Sequence, residues 1–353
     1  MKELKKDQLY LLLRDRILSG ELPHGFRFPP EGKYCRELKV GRVTLRSALE
    51  QLQRDRLIKR IPRRGTFVNL PPRKENCILI VHSINLSAWN PAYWILAGME
   101  NKIASHGIAT ERCFIETLWY DTGMRMLPRL KARDYRGAIL IGSNMRNGEP
   151  DIEMLKALNI PVVMVHGLER DKELGFPLIC TDYSAVVRSA LGYLAGKGHR
   201  KVVLAALFDN EFRGFKVDQL KDLLDEYKFD TDGRFFFSVE HTPVEKLIPE
   251  LLENSPTAVL CYSDYIAGQL VMQLPCHGVD VPGDISIMGI SGYETGAMLE
   301  PPLTTVDLEY DAVGEQAVDL LLKADEWYKT GESVPLELSD FHIVERESVR
   351  SLK

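Results

Sequence analysis

No apolar run in the 353 residues reaches the roughly 18–20 that a bilayer span needs. The opening stretch, Met1-Lys2-Glu3-Leu4-Lys5-Lys6-Asp7, leads into a charged helical pattern rather than an apolar signal core with a cleavage site. A cytoplasmic location is therefore expected, with no membrane partner. The six cysteines, Cys35, Cys77, Cys113, Cys180, Cys261 and Cys276, form no C-x-x-C and no Cys/His cluster. That spacing excludes a zinc ribbon and a disulfide framework, and leaves buried thiols. Catalytic signatures are missing as well. There is no G-x-G-x-x-G after a strand, no G-x-S-x-G and no H-E-x-x-H. The segment Gly192-Tyr193-Leu194-Ala195-Gly196-Lys197-Gly198 has the wrong glycine spacing for a P-loop and no Ser or Thr after the lysine. Neither a cofactor, a metal site nor a catalytic constellation is indicated.

What is present is ample core material, with 45% hydrophobic and 27% charged residues. The length suggests two or three units. A net charge of −5 hides an asymmetry: residues 1–75 carry 19 basic and 9 acidic side chains, and the rest carries 26 and 41. A basic module on an acidic body is the electrostatic footprint of a nucleic-acid binder. A solvated basic arm would give the same charge, but the basic segment has clear periodicity.

Leu9, Leu12, Leu13 and Ile17 recur at helical spacing, and Gly20 stands where that helix would stop. After a loop at 21–30, a short helical stretch spans Glu31–Lys39, and Val40-Gly41 makes a corner. Leu45, Ala48, Leu49 and Leu52 then mark the apolar face of a longer helix whose first turns carry Arg42, Val43, Thr44 and Arg46 elsewhere. Two β-prone runs, Leu57–Ile61 and Thr66–Val68, are joined by Pro62-Arg63-Arg64-Gly65. This is the winged helix-turn-helix order. A recognition helix entering the major groove by its N-terminal end would present Arg42, Val43, Thr44 and Arg46 to operator DNA. A wing tip of Arg63, Arg64 and Gly65 suits the minor groove or flanking phosphates.

These residues carry a resemblance to the GntR family. Ile17 to Pro29 resembles its "I-x-x-G-x-L-x-x-G-x-x-L-P", Val40 to Leu49 its "V-S-R-x-T-V-R-x-A-L", and Gly65-Thr66-Phe67-Val68 its wing ending "G-T-F-V". The resemblance covers residues 8–68 and implies that Arg42, Thr44 and Arg46 contact the operator. Three positions depart from the pattern. Pro30-Glu31-Gly32 replaces the usual Ser-Glu-Arg, Gly41 replaces a serine, and Arg63 replaces the first wing glycine.

Residues 69–76 form a proline-bearing linker. Beyond it, β-prone runs alternate with helical stretches in two successive series. Strands are expected at Cys77–Ser83, Arg112–Glu116, Ala138–Ser143, Pro161–His166, Leu178–Thr181, Lys201–Leu207, Arg234–Val239, Ala258–Tyr262 and Asp284–Ile290. The alternation predicts two parallel α/β lobes with ligands in the cleft beyond the strand ends.

The body resembles the LacI/GalR effector domain. Asp182 to Ala185 and Gly198-His199-Arg200, Pro256-Thr257-Ala258 with Ser263-Asp264, and Val281-Pro282-Gly283-Asp284-Ile285-Ser286 follow its motifs. So do Pro302-Leu303-Thr304-Thr305-Val306 and Val344-Glu345-Arg346-Glu347-Ser348. The resemblance implies a periplasmic-binding-protein-like fold over 77–353, with discontinuous lobes at 77–181 plus 308–330 and 182–307 plus 331–350. Departures gather at the ligand site, where Glu211 replaces an arginine and Arg213 is offset toward Gly214-Phe215. Ser263 replaces an asparagine, and Ser291-Gly292 replaces an acidic pair. Candidate effector contacts are Trp89, Tyr93 and Trp94, whose rings could stack on a sugar or serve packing or a dimer face. His166, Arg213, Asp264 and Ser291 complete the set.

A GntR-type head on a LacI/GalR-type body resembles arabinose-repressor-type regulators. It implies a homodimeric repressor of double-stranded operator DNA, controlled by a small-molecule effector of carbohydrate type. A solute-binding protein or a cryptic enzyme on the same two-lobed body are the other readings.

Overall fold

The computed structural model describes residues 6–18, 21–69, 76–82, 90–114, 122–330 and 335–353. Gly20, Trp89, most of the linker and the end of the strand expected at Arg112–Glu116 lie outside the described residues.

In the head, α1 (Lys6–Leu18) packs on α3 (Arg42–Arg54), with α2 (Glu31–Leu38) between them in sequence. Leu9, Leu13 and Ile17 meet Leu45, Leu49 and Leu52 in one core, whereas Leu12 is 40% exposed. Lys39, in the left-handed region at φ 55°, ends α2 and starts the corner into α3. Strands β1 (Ile58–Ile61) and β2 (Gly65–Val68) pair antiparallel, Ile58 opposite Val68 and Ile61 opposite Gly65. The loop before α2 adds to this wing, since Phe28 N–H donates to Thr66 and Val68 N–H to Phe26, both at 2.9 Å. The head is a winged helix-turn-helix.

The first lobe of the body is built from β3 (Cys77–His82), α4 (Pro91–Ser105), β4 (Ala109–Phe114), α5 (Thr122–Lys131), β5 (Tyr135–Ile141), α6 (Pro150–Leu158), β6 (Val162–Gly167) and β7 (Leu178–Cys180). The second begins with α7 (Tyr183–Gly196) and β8 (Val202–Ala206), followed by a hairpin of β9 (Glu211–Phe212) and β10 (Phe215–Lys216). It continues through α8 (Val217–Glu226), β11 (Phe236–Ser238), α9 (Val244–Glu253), β12 (Ala258–Cys261), α10 (Asp264–Gln273), β13 (Ser286–Ser291) and β14 (Thr304–Asp307). The chain then returns to the first lobe through α11 (Tyr310–Leu322), α12 (Ala324–Trp327) and β15 (Leu336–Leu338), and re-enters the second as β16 (His342–Val344).

The first sheet has the order β15-β7-β6-β5-β3-β4 and the second β11-β8-β12-β13-β14-β16, parallel except for β16 against β14. Parallel strands covered on both faces need continuous apolar runs, and β3, β8, β12 and β13 are buried at every position. The lobe division differs from expectation at the end of the chain. Leu336–Leu338 pairs in parallel with Leu178–Cys180 and so belongs to the first lobe, and the last crossing falls between Leu338 and His342. A three-residue edge strand leaves too short a pattern to assign from sequence. Helix α11 clamps this return, with a Cβ at Gly314 lying 2.1 Å from the Ile95 carbonyl and one at Gly98 2.0 Å from the Asp311 carbonyl. Only glycine permits that approach of α4 and α11. No described helix is long and apolar enough to cross a membrane.

Candidate DNA-binding face and effector cleft

Helix α3 starts without a side-chain cap, because Gly41 supplies none. Its first N–H groups are left for an anion such as a phosphate. Around them Arg42 is exposed, Val43 is 83% exposed and Thr44 is half-buried. An apolar side chain so exposed fits contact with a thymine methyl or a sugar. Arg46 is also exposed, but its Nε donates to the Glu31 carboxylate at 2.8 Å. Arg42 bends over Gly32, its Nη2 lying 3.9 Å from where a Cβ would stand. It thus reaches toward the position whose arginine is missing from the family pattern. At the wing tip Arg63 (φ 62°), Arg64 and Gly65 (φ 116°) are all exposed. Lys59 and Arg60, exposed on β1, add basic charge to the wing and were not singled out from sequence. Two adjacent charges in a four-residue strand are too little to separate from ordinary surface charge.

In the body, a cavity of about 490 Å³ opens between the lobes at the C-terminal ends of the strands. Ser143, Asn144, His166, Leu168 and Arg170 come from the first lobe, facing Tyr183, Phe208, Asn210, Glu211, Arg213, Glu240 and Tyr262 from the second. His166 has φ 61° and sits at a register shift between Val165 and Gly167. Such a bulge re-aims a side chain, and here the imidazole meets the edge of Tyr310 at 5.8 Å. Burial and the nearby Arg213 push its pKa down to about 4, so the ring is neutral at physiological pH.

Arg213 and Gly214, at φ 50° and 89°, form the two-residue turn of the β9–β10 hairpin. Both central residues of such a turn need positive φ. The Arg213 Nε and Nη2 donate to the Tyr262 carbonyl at 2.9 and 2.5 Å, and Nη2 also reaches the Ile290 carbonyl at 3.2 Å. Its guanidinium carbon lies 4.1 Å from the Tyr262 ring centre and 4.9 Å from that of Tyr183. A second cavity of about 560 Å³ adjoins the first along Leu168, Tyr183, Arg213 and Gly214.

The structure brings His166 and Arg213 together in the main cavity. Trp94 and Ser291 line a separate cavity of about 290 Å³ with Tyr293 and Tyr310. Ser291 is buried and its hydroxyl donates to the Ile290 carbonyl. Tyr93 is 45% exposed and meets Trp94 edge-on at 5.2 Å. Asp264 lines none of these cavities. It is wholly buried behind the wall, accepting from the Thr305 hydroxyl at 2.6 Å and the Tyr293 N–H at 2.8 Å. Burial raises its pKa to about 6 against those bonds. The expected effector contact is instead a brace between α10, β13 and β14, because a carboxylate at the first turn of α10 points into the sheet. The motif histidine His199 is likewise structural, joining Thr257 at 3.0 Å and the Arg350 carbonyl at 3.1 Å. Sequence reasoning missed Tyr183, Tyr262, Asn144 and Arg170. Tyr262 follows directly on the end of β12 and Tyr183 opens the helix after β7, and a position beyond a strand end is the signal that could have found them.

Residues 5–68 match the model of the bacterial regulatory proteins of the gntR family, and residues 191–349 match that of the periplasmic binding protein-like domain. The arabinose metabolism transcriptional repressor of Geobacillus stearothermophilus is 25% identical over 337 residues, covering 89% of this chain and 90% of the repressor. A LacI-family transcriptional regulator structure from Rhizobium etli superposes with a TM-score of 0.67 at 20% identity, over 78% of this chain and all of that one. A LacI-family regulator from Enterococcus faecium, solved with bound ribose, gives a TM-score of 0.63 at 19% identity over 78% of this chain and all of its own. The chain thus carries a winged helix-turn-helix head matching the gntR family model and a body matching the periplasmic binding protein-like domain, and resembles the arabinose metabolism transcriptional repressor.

Proposed function

We propose that the protein is a homodimeric transcriptional repressor in the cytoplasm whose operator affinity is set by a small sugar-like effector in the interlobe cavity. The pairing of two features in one chain carries this reading. The head presents an uncapped recognition helix flanked by exposed arginines, and the body holds a polar cavity floored by aromatic rings between two lobes. Likeness to a repressor of arabinose metabolism along nearly the whole chain supports the same combination. Arg42, Val43, Thr44 and Arg46 face the major groove in this reading, and Arg63, Arg64 and Gly65 face the backbone or minor groove. His166 and Arg213 contact the effector with Tyr183 and Tyr262, while Trp94 and Ser291 border the neighbouring cavity. Binding rather than catalysis is the assigned role. An effector moves the protein off or onto DNA only by preferring one lobe arrangement.

Fluorescence anisotropy with the promoter DNA upstream of its own gene tests the head. The double variant Arg42→Ala, Arg46→Ala is expected to lose specific binding, by about 1–3 kcal/mol for each arginine that reads a base. Undiminished binding would sink the assignment of α3. Titration of the same complex with a sugar panel tests the body.

A further inference from the structure

We infer that the effector carries an anion, a carboxylate or a phosphate on a sugar-like scaffold, seated against Arg213. This rests on the reading of the body as a sensor and names the chemistry of its ligand.

Arg213 is only 6% exposed, yet it lines both of the adjoining interlobe cavities. Its Nε and Nη2 are spent on the carbonyls of Tyr262 and Ile290, and Nη1 has no hydrogen-bond partner among the described residues. No ion pair among the described residues engages the guanidinium. An arginine stays charged in a protein, and a buried charge is stable when an opposite charge meets it. Carbonyl oxygens and the faces of Tyr183 and Tyr262 offset part of this cost. They supply no net negative charge.

None of the described carboxylates nearby pairs with it directly. Asp264 acts on it through space but forms no ion pair with it, its two oxygens meeting the Thr305 hydroxyl and the Tyr293 N–H. Glu211 shares the hairpin and lines the same cavity but makes no ion pair with the guanidinium. Glu240 lines the cavity from the exposed loop after β11, where its carboxylate takes the Asp209 N–H. His166 is held neutral and adds no competing positive charge. Across the cleft, Arg170 is exposed on the first-lobe wall. A ligand anion bound between Arg213 and Arg170 would draw the lobes together, which is the motion a sensor of this shape converts into altered DNA affinity. Asn144 and Ser143 remain for hydroxyls. A planar guanidinium with an open nitrogen is suited to either carboxylate or phosphate.

Isothermal titration of the full-length protein with matched ligands decides the matter. The sets are D-glucose, D-gluconate and D-glucose 6-phosphate, and L-arabinose, L-arabinonate and arabinose 5-phosphate. In at least one set an anionic member is expected to bind tenfold or more tightly than its neutral parent. The better of acid and phosphate identifies which anion the site takes. Arg213→Gln should erase the preference, and Arg213→Lys should keep part of it, with thermal unfolding run on both. The wild-type comparison needs neither variant to fold. Neutral parents binding as well as their acids and phosphates, or no anionic member binding, overturns the inference. Operator anisotropy with the same ligands separates this from the regulator reading. A neutral sugar that shifts operator affinity leaves that reading standing and the inference overturned. An anion that binds tightly without changing operator affinity does the reverse.

Discussion

Trp94 of the first lobe stacks on Tyr293 of the second, with ring centres 6.3 Å apart and planes 20° apart. Tyr293 in turn lies 6.1 Å from Tyr310, whose ring meets His166. The expected sugar-stacking tryptophan therefore rests on a tyrosine of its own chain and latches the two lobes. Stacked aromatic pairs contribute about 0.5–1.5 kcal/mol beyond area burial. A double-mutant cycle of Trp94→Leu and Tyr293→Leu, read by urea unfolding, should return a coupling energy in that range. Additive losses would show that the two rings do not act together.

Glu31 holds the Arg46 guanidinium in an exposed ion pair, which is worth about 0–1 kcal/mol. Glu31→Gln should free the guanidinium and remove a negative charge from the DNA face. Operator binding should tighten by up to about 1 kcal/mol, with a steeper salt dependence. Weaker binding would instead make Glu31 a DNA contact in its own right.

Arg63 occupies the left-handed region where the family pattern has glycine. Arg63→Gly should relieve strain of about 1–2 kcal/mol, less the entropy that glycine loses on folding. Loss of a phosphate contact should lower the salt slope of DNA binding by about one. Chemical denaturation and a salt titration check the two effects separately. A variant with an unchanged slope would place Arg63 off the DNA.

His166 and Asp264 act on acid stability with opposite signs. His166 titrates near 4 in the fold against an ordinary 6.5, so between those values the unfolded chain takes the proton and stability falls as pH falls. Asp264 titrates near 6 against an ordinary 3.8, so over that window the folded chain holds the proton and stability falls as pH rises. Their slopes largely cancel from about pH 4 to 6 in the native protein. Asp264→Asn removes one arm, and its stability should drop more steeply than that of the wild type as pH is lowered across this window. Parallel curves would show that Asp264 does not carry the raised pKa.

Gly314→Ala should force α4 and α11 apart, since its Cβ would stand 2.1 Å from the Ile95 carbonyl. Overpacking of this kind costs about 1–3 kcal/mol, and against rigid backbone the upper end is expected. Thermal unfolding measures the loss. An unchanged transition would mean that the helices part freely.

The order of modules, the helix-turn-helix with its wing and nearly all central strands are legible in the sequence. Leu9, Leu13 and Ile17, the Val40-Gly41 corner and the runs at Cys77–His82 or Ala258–Cys261 act through periodicity and turn chemistry over a few residues. Such signals need no knowledge of what lies across the core. The exposed basic surface of the head was largely readable for the same reason, because a single helix start and one hairpin tip create it. The cleft was not. Arg213 meets carbonyls 49 and 77 positions away, and Asp264 braces a threonine 41 positions on. Leu336–Leu338 joined the first lobe only by pairing with Leu178–Cys180. Which side chains of two lobes face one another is set by sheet order and by the three chain crossings between the lobes. No local pattern encodes those, so the sequence determined the parts and their class, while the tertiary structure alone decided which residues share the cleft.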